Sequence, residues 1–189
     1  MRKFEIISSY KDKNITLPTR STELSAGYDF YAAEDMIVPS YINILLNNME
    51  YIHEQTEPLD IKEHSKMIKE KGLKPTLVPT GIKICLNKDE ELELRSRSSV
   101  STKNLIFLAN GVGTIDADYY NNIDNEGHIM IPMFNMSPWD LQIHKGDKVA
   151  QGLIKKYLIT DDDNSYGTRT GGFGSTGVKE NEHYFEFRF

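Results

Sequence analysis

The sequence predicts an all-β fold, a sandwich or jelly roll of short strands with a helical hairpin inserted into it. From Thr76 onward, apolar and polar residues alternate in short runs separated by turn residues at regular spacing. The stretch Ser40–Pro75 instead carries apolar residues at helical spacing. No GxGxxG follows a strand and no phosphate-binding P-loop is present, so neither common nucleotide-binding α/β fold is supported.

In chain order, Phe4–Tyr10 is rich in strand formers and ends at the polar turn Lys11–Asn14. Leu17–Ala26 reads as a loop leading to Ala26-Gly-Tyr-Asp-Phe-Tyr-Ala-Ala33, a short strand on which Asp29 sits between aromatics. Local sequence alone favours Asp29 as a turn residue satisfying its own backbone. Ile42, Leu45, Leu46, Met49 and Ile52 follow, with Ser40 as N-cap. Pro58 breaks that pattern; Asp60-Ile-Lys-Glu63 then reads as a capping box, and Gly72 and Pro75 stop the second helix. His53 and His64 in this insert lack matching ligand spacing and read as surface or half-buried residues. Beyond Thr76, Ile82, Ile84 and Leu86 alternate with Gly81, Lys83 and Cys85, and Leu92 and Leu94 alternate with charges. Further strands are expected at Asn104–Ala109, His128–Asn135 and Lys148–Ile159, with turns at Ser137–Asp140 and His144–Asp147.

At 189 residues the chain is long enough for one domain with a sizeable core. We expect that domain over residues 1–177, with the insert at about 40–75, an arm at about 161–177 and an extension at 178–189. Its 39% hydrophobic and 26% charged residues give a globular balance. The net charge of −6 implies no basic face for nucleic acid, so an anionic ligand needs a local positive pocket. Cys85 is the single cysteine, which excludes an internal disulfide and a cysteine-based zinc cluster. No apolar leader or membrane-length run is seen, and a reducing cytoplasm is expected.

The stretch Arg95–Asn121 carries the chemistry. Two arginines among serines offer an anion site of guanidinium forks and approachable backbone amides. It closes on Gly113-Thr-Ile-Asp-Ala-Asp-Tyr119, which places a carboxylate, Asp116, three residues before an aromatic, Tyr119. A phosphate cradle beside a candidate base points to phosphoryl chemistry on a small phosphorylated substrate. Taken alone, both halves also read as a solvated loop and an ordinary hairpin. Thr168–Gly177 reads in isolation as a Gly/Ser tail; with Arg169, Phe173, Ser175 and Thr176 it also reads as an arm able to lay an aromatic on a base.

Five stretches in fixed order resemble the trimeric dUTP pyrophosphatase (dUTPase) family. AGYDFYA at Ala26–Ala32 is similar to AGxDLxA, and RSS at Arg97–Ser99 to its phosphate loop. NGVGTIDADY at Asn110–Tyr119 resembles the uracil hairpin, GDKVAQ at Gly146–Gln151 resembles GDRxAQ, and GGFGSTG at Gly171–Gly177 the closing arm. The resemblance implies a jelly-roll or distorted β-barrel fold and hydrolysis of dUTP to dUMP and pyrophosphate with Mg²⁺. It makes Asp116 the general base and gives Asp29 the substrate and a magnesium ion, held through water. Asn110 and the backbone of Gly113, Thr114, Ile115 and Asp116 read uracil, and Tyr119 packs under the deoxyribose. Arg97, Ser98, Ser99 and Gln151 hold phosphates, while Arg169, Phe173, Gly174, Ser175 and Thr176 close over them. It also implies a homotrimer with sites shared between subunits.

Several positions depart from the family pattern. Ser99 stands where Gly is usual, Ser96 replaces a proline, and Tyr120-Asn121 replaces a basic residue and Gly. The loop to Gly127 is longer than usual, and Arg169 lies unusually close to the arm. The insert has no counterpart in compact members and is a candidate docking surface for a protein partner. The nearest enzymatic rival, dCTP deaminase, needs a glutamate where Pro132 stands here and an arginine where Thr102 stands. A regulatory nucleotide sensor on the same fold is the alternative of another class.

Overall fold

The computed structural model describes residues 1–167. Twelve strands and four helices follow in chain order: β1 Lys3–Ile6, β2 Thr19–Arg20, β3 Tyr28–Tyr31, β4 Met36–Val38, α1 Tyr41–Asn47, α2 Met49–Glu54, α3 Ile61–Glu70, β5 Thr76–Pro79, β6 Ile82–Cys85, β7 Glu90–Arg95, α4 Ser98–Asn104, β8 Ile106–Leu108, β9 Val112–Asp116, β10 Met130–Asn135, β11 Leu141–Ile143 and β12 Lys148–Lys156. The strands form a five-stranded sheet in the order β2-β3-β12-β7-β9 and a three-stranded sheet β5-β10-β8, with the pairs β1-β6 and β11-β4. All strand pairs are antiparallel.

The all-β architecture with a helical insertion is thus the observed one, and its core follows from alternation. On β7, Glu90, Leu92 and Leu94 point inward while Glu91, Glu93 and Arg95 face outward. Phe30, Ile82, Leu92, Ile106, Ile129 and Ile131 are fully buried in one continuous core. Each such side chain contributes roughly 1.5–3 kcal/mol by leaving water. The buried carboxylate of Glu90 is balanced by Arg2, whose hydrogen bonds, opposed by burial, hold it down at about 2.

Several boundaries differ from the sequence expectation. The first strand ends at Ile6, and Ser8–Tyr10 is a 3₁₀ turn. The strand expected from Asn104 begins at Ile106, because Ser98–Asn104 is helical and ends on Leu105 with φ 56°. The strand expected from His128 starts at Met130, and the last ends at Lys156.

The insert holds three helices, since Asn48 leaves helical geometry and divides the first pattern into α1 and α2. Ser40 caps α1 by accepting from the Asn43 amide at 3.2 Å. Asp60 and Glu63 form the expected capping box on α3, worth about 1 kcal/mol. Among the described residues no helix is long and apolar enough to cross a membrane.

Candidate active site

Two concavities hold nearly all the candidate residues that lie within the described chain. The larger, about 530 Å³, is lined by Ser21, Gly27, Asp29, Arg97, Ser98, Ser99 and Gln151, among others. Register explains the grouping: Gln151 stands opposite both Asp29 on β3 and Arg95 on β7, so the three share one outward face. Helix α4 begins at Ser98 in the same pocket; the Val100 and Ser101 amides donate to the Arg97 carbonyl, which leaves those of Ser98 and Ser99 ahead of the helix ladder.

Asp29 is only 6% exposed, and both its oxygens are engaged. Oδ1 accepts from Arg97 Nε at 2.9 Å, while Oδ2 accepts from Lys148 Nζ and Ser21 Oγ, each at 2.7 Å. Burial alone raises its carboxyl pKa; Lys148, Ser21 and Arg97 outweigh that and hold it below the ordinary range. It is therefore a fixed anion between two cations, and not the self-satisfied turn residue that local sequence favours. Gln151 donates through Nε2 to the Ser96 carbonyl at 3.2 Å, and Ser96 Oγ accepts from the Leu108 amide at 3.2 Å. Ser96 thereby ties the Arg97 loop to β8.

The second concavity, about 230 Å³, is lined by Leu94, Leu108, Asn110, Gly113, Thr114, Ile115, Asp116, Tyr119, His128, Met130 and Pro132. Its wall is β9, the edge strand of the five-stranded sheet, which pairs with β7 on one side and presents a second row of backbone groups away from it. Such a row can hydrogen-bond a planar heterocycle in the way that a strand pairs with another strand. Gly113 makes the approach of Asn110 feasible: a Cβ there would sit 3.0 Å from Asn110 Nδ2 and 3.4 Å from Leu94 Cβ. Tyr119 is buried, and its hydroxyl donates to the His128 carbonyl at 3.1 Å. Asp116 ends β9 opposite Glu91 and is half-buried.

The structure thus gathers the sequence candidates into two sets and does not join them within one chain. Asp29, Arg97, Ser98, Ser99 and Gln151 line one pocket; Asn110, Gly113, Thr114, Ile115, Asp116 and Tyr119 line the other. Arg169, Phe173, Gly174, Ser175 and Thr176 lie outside the described residues. Ser21, Lys148 and His128 were not singled out from the sequence. Lys148 sits in the GDKVAQ stretch, which carries its signal, whereas Ser21 and His128 lie in stretches that read as loop and strand start.

Comparison with known proteins places these pockets in context. A family model described as dUTPase matches residues 54–177. The chain is 38% identical over 180 residues to the deoxyuridine 5'-triphosphate nucleotidohydrolase of Lactococcus lactis subsp. lactis, covering 94% of this chain and 99% of that one. It is 39% identical over 168 residues to the enzyme of the same name from Rickettsia akari, covering 86% and 89%. Among solved structures, the dUTPase from Streptococcus mutans superposes with a TM-score of 0.63 at 34% identity, covering 84% and 98%. The dUTPase of phage phi11 of S. aureus, with its species-specific insert, gives a TM-score of 0.58 at 18% identity over 90% and 99%, a likeness of fold.

Proposed function

The chain belongs to the dUTPase family, and we propose that it hydrolyses dUTP to dUMP and pyrophosphate using the two pockets as complementary parts of one site. The observation that carries this reading is their chemistry. One pocket holds arginine, serines and the first amides of α4 around a fixed carboxylate; the other offers backbone and amide groups at an edge strand beside a carboxylate. A triphosphate suits the first and a uracil base the second.

In this reading Asn110 and the backbone of Gly113, Thr114 and Ile115 take the uracil edge, and Tyr119 packs under the sugar. Asp116 accepts a proton from a water whose oxygen bonds to the α-phosphorus; the α–β bridging P–O bond breaks and pyrophosphate leaves with that electron pair. Arg97, Ser98 and Ser99 neutralise and orient the phosphates. Gln151 holds the loop that carries them, and Asp29 keeps Arg97 and Lys148 in place. The arm residues Arg169, Phe173, Gly174, Ser175 and Thr176 close over the substrate.

Magnesium, when bound with the triphosphate, supplies charge neutralisation of the phosphate oxygens. Among the described residues no cluster of three or more ligating side chains exists, and both oxygens of Asp29 are already paired. This donor set fits an ion carried by phosphate oxygens and water, with Asp29 contributing through water.

Because the two pockets are separate, we assign each complete site to several subunits of a trimer. The outward face of β5-β10-β8 supports this: Leu77 pairs with Pro132 and Phe107 with Phe134, and Leu77 and Phe107 are exposed. Pro132 also lines the base pocket, where a proton-shuttling residue would be needed for deamination. Pyrophosphate release in magnesium, measured with dUTP beside dTTP, dCTP and UTP, tests the reading. Rapid release from dUTP alone is expected. dUTP binding without release moves the assignment to a nucleotide sensor. Light scattering should return three chain masses, and a fully active monomer would refute the shared site.

A further inference from the structure

The loop Tyr120–Gly127 takes no part in the chemistry above, yet its bonds fix one side chain, Asn125, that donates to the Tyr119 hydroxyl. Asn121 and Glu126 adopt left-handed φ of 57° and 59°. Gly127, at φ 83°, is obligatory, since a Cβ there would lie 2.6 Å from the Tyr119 carbonyl oxygen and 3.1 Å from Tyr120 Cα. Asn122 is the hub: Oδ1 accepts from the amides of Asp124 and Asn125, and Nδ2 donates to the Tyr119 carbonyl and to Asn125 Oδ1. Asn125 Oδ1 accepts in addition from the Gly127 amide at 3.0 Å. This fixes the side-chain amide and aims Nδ2 at the Tyr119 hydroxyl, to which it donates at 2.8 Å. The loop is moored outside by Glu126, which accepts from the Ser8 amide at 3.1 Å.

The phenol's own proton is also committed. Its O–H donates to the His128 carbonyl, and the imidazole of His128 accepts the Gly81 amide at 2.9 Å. The Tyr119 oxygen is therefore held by a donor from within the loop, Asn125, and an acceptor just past its end, His128, and the ring cannot swing at χ1 without breaking both bonds.

We infer that Asn125 is a positioning residue for sugar selection, clamping Tyr119 against the His128 carbonyl so that the ring admits a 2'-methylene and refuses a 2'-hydroxyl. This rests on the reading of Tyr119 as the sugar platform. Refusal of an added hydroxyl is steric, and a steric wall rejects only as far as it resists displacement; a yielding pocket discriminates poorly against one extra hydroxyl. The extended loop supplies that stiffness.

The test pairs Asn125→Asp with Tyr119→Phe. Asn125→Asp keeps the Oδ1 contacts and removes the donor; Tyr119→Phe keeps the ring and removes both bonds. Two ratios are read: kcat/KM for dUTP over UTP, and the Kd ratio of the α,β-imido analogues of the two nucleotides, which does not depend on turnover. Each single variant should lower both ratios about three- to tenfold, the range of one lost hydrogen bond, and the double variant should lower them no further. Unchanged ratios in Asn125→Asp, or effects that multiply in the double variant, would overturn the clamp. Should Asn125→Asp fail to fold by its melting curve, Asn125→Ser replaces it. If the unmodified chain turns over neither nucleotide, the hydrolase reading falls while the Kd ratios still decide the clamp. Equal binding of both analogues by the unmodified chain would overturn it directly.

Discussion

The pocket around Asp29 is assembled by charge, from residues far apart in the chain: Asp29 meets Arg97 across 68 positions and Lys148 across 119. The pocket around Tyr119 is assembled by hydrogen bonds spanning at most nine positions for its hydroxyl, backed by the apolar walls Leu94, Leu108 and Met130. The first suits a ligand whose charge matters more than its shape. The second suits a ligand recognised by outline and by a few donors and acceptors. Damage to the first should weaken binding of phosphates generally, whereas damage to the second should change which nucleotide is accepted.

The sharpest way to break this division is at Asp116, on the base-pocket wall but assigned to the chemistry. Asp116→Asn should lower kcat roughly 10²–10⁴-fold, the span of general-base contributions, with dUTP affinity preserved in equilibrium binding. Comparable turnover would remove the assigned base. Next in size is Arg97→Ala, which should weaken dUTP binding by about 10–100-fold while leaving deoxyuridine binding unchanged, because a charged hydrogen-bond donor is lost from the phosphate side alone. Equal losses for both ligands would show that the pockets are not separate in function.

A smaller effect follows from His128. Burial depresses its pKa against the pull of Glu34, so the folded state keeps the imidazole neutral. Stability is then fully present above the unfolded value near 6.5 and falls as pH drops below it, at no more than about 1.4 kcal/mol per pH unit for one proton. Melting temperatures between pH 5 and 7.5 should show this slope, and His128→Gln should flatten it. Smallest is Asp60→Ala, which removes the α3 cap for about 1 kcal/mol. Faster amide exchange confined to α3, with dUTP turnover intact, is the expected outcome; altered selectivity would connect the insert to a pocket.

The same contrast explains what could be read from the sequence. Alternation on β7 and β6 and the caps at Ser40 and Asp60 are local signals, and strands, helices and caps appear where they point. Within the described residues the candidates from Asp29 to Gln151 line the two pockets, and those of the arm lie outside that range. The electrostatics of Asp29 were not legible, because its partners are set by strand register and not by neighbours in the chain. Helix α4 is not legible because Ser98–Asn104 has no apolar period and is rich in Ser and Thr, whose hydroxyls here donate back to the Arg97 and Ser98 carbonyls and favour the helix little. Asn122 and Asn125 lie in a long loop without local signal, and what they hold becomes visible only once Tyr119 is folded over them.

Ser40, fully buried at the root of the insert, donates to the Ser137 carbonyl and accepts at its hydroxyl from Asn43, while its amide donates to Asp140. Asn135 bonds across to the Val38 and Trp139 carbonyls beside it. The helices therefore stand in a socket whose bonds belong to the barrel, and none of residues 41–75 lines either pocket. A segment mounted in this way can change in length or sequence without moving a residue of either pocket in its own subunit, so long as the socket is kept.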